Sequence, residues 1–320
     1  DGSVDVEISA SVGQQRPNFD NLFFSKFYFV LPSASPISST EAAKRSTVLS
    51  SFLNELWTLD ENRLQQSSEL QVKQNDRKLF DIFSVWKKES KALFQKVQSK
   101  RLEQPTYTKF IRLLDNYEMN TTIKEYFTEE KMNETWDFLN AVMETKVMQR
   151  TNEFLSTWGF APKDREQFKA MLFEMWFAFD HPRDFNIFYP GEGQFSSFEH
   201  VFVGELEDEN LLGFHNWIQL YRKEYENEVR FMKFARKGCS NESPFISITF
   251  DAPKWKVSKS GAYFLLGTSP EFELAAYTAV FLFRVPGKLT SSKCPIYLIC
   301  TRSYYRDWRP STCYPKDKFF

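Results

Sequence analysis

The apolar residues of this 320-residue chain change their spacing near residue 195, and that change restricts the fold more than any other feature. Upstream, Val48, Leu49, Phe52, Leu53, Leu56 and Trp57 recur three and four residues apart, which places them on one face of a helix. The same spacing returns over 79–98, 106–117, 131–157 and 164–179, with Pro105 suited to a helix start. Downstream, the short β-branched and aromatic runs HVFVGEL, PFISITFDA, AYFLLG and PIYLICT read as strands. Two helices are expected among them. One spans about 216–236, with Arg222, Lys223, Glu226 and Arg230 as a solvated face. The other begins at Ser269-Pro270-Glu271, where Ser caps, Pro suits the first turn and Glu complements the dipole. Helices followed by strands predict an α+β protein: a helical N-terminal part, then antiparallel β-sheets with flanking helices. Residues 1–45, with their Ser/Pro-rich LPSASPISST, read as an extension or linker. Residues 46–320 then form one domain, mainly helical over 46–190 and sheet-rich over 191–320.

A hydrophobic content of 42% with 34 Phe supplies a large core. The net charge of −1 excludes a generally basic surface, so affinity for nucleic acid must come from a local groove or a few placed cations. No run reaches the roughly 18 apolar residues of a membrane span; the nearest, 21–32, is interrupted by Lys26. Asn120, Asn133 and Asn241 each head an N-glycosylation tripeptide. Cys239, Cys294, Cys300 and Cys313 permit two disulfides in three connectivities, and none has CxxC spacing. The start at DGSVDV has no charged n-region and apolar h-region, so a signal peptide is expected to be absent or already removed. The sequons point to secretion, with a cytoplasmic location as the alternative, and a monomer is expected.

Of three histidines, His200 and His215 stand 15 residues apart in FEHVFVGELEDENLLGFHNW. Histidine titrates near neutrality, so two on a sheet-like framework could serve as the base and the acid of one proton-transfer reaction. Metal binding and core packing are the competing explanations. His181, in FDHPRDF, has no comparable context and reads as a loop residue.

FEHVF-x-GE followed by GFHNW resembles the signature of the EndoU family of poly(U)-specific endoribonucleases. PTYTKFIRLLDNY, MWFAF, GTSPEFELAAYT, RVPGK and TCY extend the resemblance in the family's order over roughly residues 46 to 320. It implies cleavage of single-stranded, U-containing RNA, with the 2′-hydroxyl as nucleophile and a 2′,3′-cyclic phosphate product. It assigns His215 as the base, His200 as the acid and a lysine to the phosphorane charge. Counting back eight residues from Gly267 gives Lys259, although Gly261 comes one residue early and Tyr263 replaces the expected Ser; Lys256 is the fallback, and Lys254 is farther from the motif. Glu199 and Glu205 match the family's glutamates and would orient an imidazole or help place a cation, or else serve as strand-surface charges. Thr312 and Tyr314 match its uracil-contacting pair. The resemblance also implies a divalent cation, Mn²⁺ or Ca²⁺, but no residue pattern identifies its ligands. Two other readings compete: an EndoU-like RNA-binding module without turnover, and a secreted glycoprotein with an adhesive or signalling role.

Overall fold

The Ser38 hydroxyl accepts a hydrogen bond from the Glu41 backbone N–H at 3.2 Å and starts helix α1 (Ser39–Leu59). The computed structural model describes residues 37–73, 92–123, 125–126, 128–179, 192–193, 196–238, 243–290, 294–302 and 308–317. Helix α1 therefore begins inside the stretch read as an extension up to residue 45; the Ser38 cap and the Glu41–Arg45 ion pair support its first turn. Its stripe of Leu49, Phe52, Leu53, Leu56 and Trp57 is buried.

Strands β1 (Leu70–Val72) and β2 (Phe94–Val97) form an antiparallel pair. The end of the helix expected over 79–98 is thus a strand, while 74–91 lie outside the described residues. The Leu93 and Phe94 N–H groups donate to the Glu224 carboxylate at 2.7 and 2.9 Å, a tertiary contact that overrides local periodicity. A short helix α2 (Ser99–Leu102) precedes α3 (Pro105–Leu113), with Pro105 in its first turn. Strands β3 (Glu125–Tyr126) and β4 (Glu192–Gly193) pair. The periodic run 131–157 divides into α4 (Glu129–Met143) and α5 (Lys146–Thr157), because Thr145 caps the second helix by accepting from Met148 N at 3.2 Å. Helix α6 (Arg165–Trp176) ends the helical part.

Strands β5 (Glu205–Glu207) and β6 (Asn210–Leu212) form a hairpin before α7 (Trp217–Tyr225). The helix expected over 216–236 stops at Tyr225. Asn227 adopts a left-handed φ of 59°, which Asn tolerates, and the chain then enters β7 (Arg230–Lys237). Strand β7 pairs with β8 (Phe245–Ala252), and β8 pairs with β9 (Val257–Leu265).

Helix α8 (Pro270–Phe283) is buried at every position, which fits a helix that is apolar almost all round. The Trp176 Nε1–H donates to Thr278 Oγ1 at 2.9 Å, and the Arg45 guanidinium reaches the Phe283 carbonyl at 3.5 Å, so α6 and α1 bond to it directly. A second sheet runs β10 (Gly287–Leu289), β11 (Ile296–Arg302), β12 (Pro310–Lys316). Cys300 and Cys313 face each other across β11 and β12 and form a disulfide; Cys294 is disulfide-bonded as well. Helices and antiparallel sheets together make the α+β fold that the sequence predicts. No described helix is long and apolar enough to cross a membrane. Asn133 is exposed on α4, and Asn120 is half-buried with its Oδ1 accepting from Thr122; Asn241 and His181 lie outside the described residues.

Candidate active site

Two glycines and a widened helical turn bring the histidines together. Residues Glu199–Val203 form one π-helical turn where HVFVGEL predicts a strand, and the Gly204 N–H donates to the Glu199 carbonyl five residues back at 2.8 Å. Phe198, Val201, Phe202 and Val203 are buried, with the Phe198 ring 4.7 Å from Phe177 and 4.9 Å from Phe202. Packing on those side chains leaves His200 partly exposed. Apolar anchoring, not strand pairing, therefore presents this imidazole.

The chain returns to His200 at Gly213-Phe214-His215. The Phe214 N–H donates to His200 O at 3.0 Å and the His215 N–H to Val201 O at 2.8 Å. Gly213 has a φ of 57°, and a Cβ there would stand 1.7 Å from the His200 carbonyl, so no other residue permits this approach. Phe214 also holds a left-handed φ of 61°, a conformation that costs about 1–3 kcal/mol for such a residue. Its fully buried ring, packed on Phe250 and Phe264, holds it there.

The two imidazoles are held differently. His200 Nδ1 lies 2.8 Å from Glu205 Oε2, so a carboxylate orients that ring. His215 Nδ1 lies 3.3 Å from the Tyr263 carbonyl, which only accepts; Nδ1 therefore carries the proton and Nε2 is the basic nitrogen of the neutral ring. His215 is 9% exposed. Burial, reinforced by the charges of Lys259 and His200, holds its pKa well below 6.5.

Of the three candidate lysines, Lys259 on β9 is the one placed beside the histidines. Its Nζ donates to the Leu211 carbonyl of β6 at 2.6 Å, and burial lowers its pKa to about 8. Lys256 is exposed in a left-handed turn, and Lys254 pairs with Glu228. Tyr263, read in the sequence only as a departure from the expected Ser, supplies the carbonyl for His215 and a ring stacked 5.8 Å from Tyr314. The Tyr314 ring is in turn 5.5 Å from that of His215. Thr312, two residues earlier on β12, has a buried Oγ1 without a hydrogen-bond partner among the described residues.

Glu199 has a different place from Glu205. It is 1% exposed, and neither of its carboxyl oxygens has a hydrogen-bond partner among the described residues. Burial first, then Glu125 and Glu205, raises its pKa well above 4.5, which favours a protonated carboxyl behind the turn. Among the described residues no group of three or more His, Cys, Asp and Glu is arranged to hold a metal ion. The divalent cation implied by the sequence resemblance thus finds no ligand cluster among the described residues. Sequence reasoning also missed Asn216, Thr268 and Glu273, which join the two segments behind His215; the Asn in GFHNW and the second Glu in SPEFE were the available signals.

The mixed α+β fold thus gathers two imidazoles, a lysine and an aromatic pair, and the chain's relatives give the class of protein to which this arrangement belongs. Residues 48–315 match the sequence profile of the family described as Endoribonuclease XendoU. The chain is 34% identical over 264 residues to the zebrafish (Danio rerio) uridylate-specific endoribonuclease C, covering 79% of this chain and 82% of that protein. It is 36% identical over 246 residues to the poly(U)-specific endoribonuclease of Xenopus tropicalis, covering 73% and 80%. The solved structure of XendoU, described as a splicing-independent snoRNA-processing endoribonuclease, superposes with a TM-score of 0.69 at 27% identity, covering 84% of this chain and 96% of that one. This chain belongs to the XendoU endoribonuclease family.

Proposed function

We propose that this protein cuts single-stranded RNA at uridylates by 2′-hydroxyl transesterification, leaving 2′,3′-cyclic phosphate and 5′-hydroxyl ends. The supporting observation is one backbone ladder that joins two differently held imidazoles, His215 on a carbonyl and His200 on a carboxylate. Neutral His215 takes the 2′-OH proton at Nε2. The 2′-oxygen then bonds to phosphorus, the bond from phosphorus to the 5′-oxygen breaks, and His200 delivers a proton to the leaving oxygen. Lys259, still largely protonated at neutral pH with a pKa of about 8, stabilises the charge that grows on the phosphoryl oxygens. RNA supplies the nucleophile, so no Ser or Cys is needed. The stacked Tyr314 and the buried Thr312 hydroxyl are suited to a uracil ring and its polar edge.

The decisive measurement is cleavage of an oligonucleotide with one uridine, compared with its 2′-deoxyuridine counterpart, in Mn²⁺, Ca²⁺ or EDTA, with end-group analysis. Cutting of the ribo form alone with cyclic phosphate ends is expected. Equal cutting of the deoxy form, or 5′-phosphate ends, would point to activated water as nucleophile and overturn the reading. Binding without cutting in every condition would favour the RNA-binding module. Export to an oxidising compartment is proposed alongside, supported by the Cys300–Cys313 disulfide and the exposed Asn133 sequon. A glycosidase-sensitive mass at Asn133 tests it.

A further inference from the structure

The SPEFE stretch caps and starts α8, yet its second acid does something a helix start does not need. Glu273 is 1% exposed, and both of its carboxyl oxygens are engaged. Thr268 Oγ1 lies within hydrogen-bond distance of Oε1, at 2.6 Å, and Asn216 Nδ2 donates to Oε2 at 3.1 Å. Asn216 is the residue after His215 and the cap of α7. Its Oδ1 accepts the Ile218 and Gln219 N–H groups, both at 3.0 Å, so its amide group must turn toward Glu273. The Trp217 Nε1–H donates to the Thr268 carbonyl at 2.7 Å and closes the link from the other side. Thr268 lies three residues beyond β9, the strand that carries Lys259 and the Tyr263 carbonyl that accepts the hydrogen bond from His215 Nδ1.

We propose that Glu273 is a positioning residue for His215: by joining Asn216 to Thr268 it holds the imidazole against the Tyr263 carbonyl and beside Lys259. The inference rests on reading His215 as the proton acceptor. The chemistry of the link also says which replacement preserves it. Burial raises the Glu273 pKa to about 8, and a protonated carboxyl must donate from one oxygen. The Thr268 hydroxyl, which also lies 3.1 Å from the Leu265 carbonyl, then donates there and accepts from residue 273. A glutamine reproduces this arrangement, its amide N–H on Thr268 and its oxygen on Asn216. A methionine of similar volume makes neither bond.

The test compares steady-state cleavage of a U-containing oligonucleotide by full-length Glu273→Met, Glu273→Gln, Asn216→Ser, the Met/Ser double variant and His215→Ala. A displaced ring loses turnover steeply, so Glu273→Met should lower kcat by about tenfold or more with KM within about twofold. It should also move the acid limb of the kcat–pH profile, which reports His215. Glu273→Gln should restore both. Asn216→Ser keeps a cap for α7 but removes the donor, so it should copy the Met variant; the double variant should lose no more than either single, the signature of one shared link. If Glu273→Met does not fold, Asn216→Ser carries the same comparison. Folded Met and Ser variants with lowered Tm but unchanged kcat and acid limb would show a structural role alone and overturn the inference. Full activity in His215→Ala would instead overturn the reading beneath it.

Discussion

Glu205 Oε2 lies 2.8 Å from His200 Nδ1, five residues back along a turn that ends at Gly204, whose φ of 100° few other residues adopt. The turn that presents the imidazole therefore also delivers its carboxylate. Glu205→Gln should reduce kcat toward the low end of the about 10²–10⁴-fold that a proton-transfer group supplies, and His200→Ala and His215→Ala toward the high end. His181→Ala should change little. Circular dichroism and thermal melts separate chemistry from unfolding; a folded His200→Ala with full turnover would remove it from the mechanism.

The pH profile follows from buried His215 and half-buried Lys259. The His215 pKa is depressed by burial first and by Lys259 and His200 second, so the neutral base is available from well below pH 6.5 upward. Lys259 loses its ammonium charge as pH rises through about 8, so kcat/KM should fall on that alkaline side. Lys259→Arg keeps the charge at all working pH values and should abolish the alkaline limb, at lower kcat because the guanidinium is larger. Lys256→Ala should be nearly neutral. A full alkaline limb in Lys259→Arg would assign that titration to another group.

The sequence carried the histidines because their motif is local, and α8 because Ser269-Pro270-Glu271 is a complete start signal. It did not carry the π turn: in HVFVGEL the apolar residues look strand-like, and only burial of Phe198, Val201 and Phe202 against distant helices makes them a turn. Strand β7 was hidden for a related reason. Arg222, Lys223, Glu226 and Arg230 keep helical spacing across the Tyr225 stop, and pairing with β8 decides the second half. Much of the site is also backbone. The carbonyls of Leu211 and Tyr263 hold the Lys259 and His215 side chains, those of His200 and Val201 hold the Phe214 and His215 backbone, and a carbonyl leaves no mark in a sequence.

Stability should decline from pH 5 to pH 8 for a reason unrelated to the histidines. Burial raises the Asp60 pKa to about 7, with Glu271 adding to the rise, and burial raises that of Glu273 to about 8. Between the ordinary carboxyl pKa near 4 and these values the folded chain binds more protons than the unfolded chain, so unfolding free energy falls as pH rises. Urea unfolding at pH 5, 6.5 and 8 measures the slope. Glu273→Gln cannot titrate and should flatten it; an unchanged slope would mean that Glu273 is ionised in the folded protein.

Uridine selection should divide between the two residues of β12. The disulfide from Cys313 to Cys300 fastens the strand between Thr312 and Tyr314, so either can be replaced with the backbone still tied to β11. The Tyr314 ring, 5.8 Å from Tyr263 and 5.5 Å from His215, is placed for stacking. Tyr314→Ala should therefore cost about 1–3 kcal/mol in kcat/KM at uridines, and Tyr314→Phe much less because the ring remains. Stacking tolerates any base, so discrimination should reside in Thr312, whose buried hydroxyl has no protein partner among the described residues. Thr312→Val should bring cleavage at U and C closer together, and Thr312→Ser should retain the preference. The measurement is competitive cleavage of oligonucleotides that differ at one base. A Thr312→Val variant that loses activity equally at both bases would place that hydroxyl on the ribose, leaving the uracil edge to other groups.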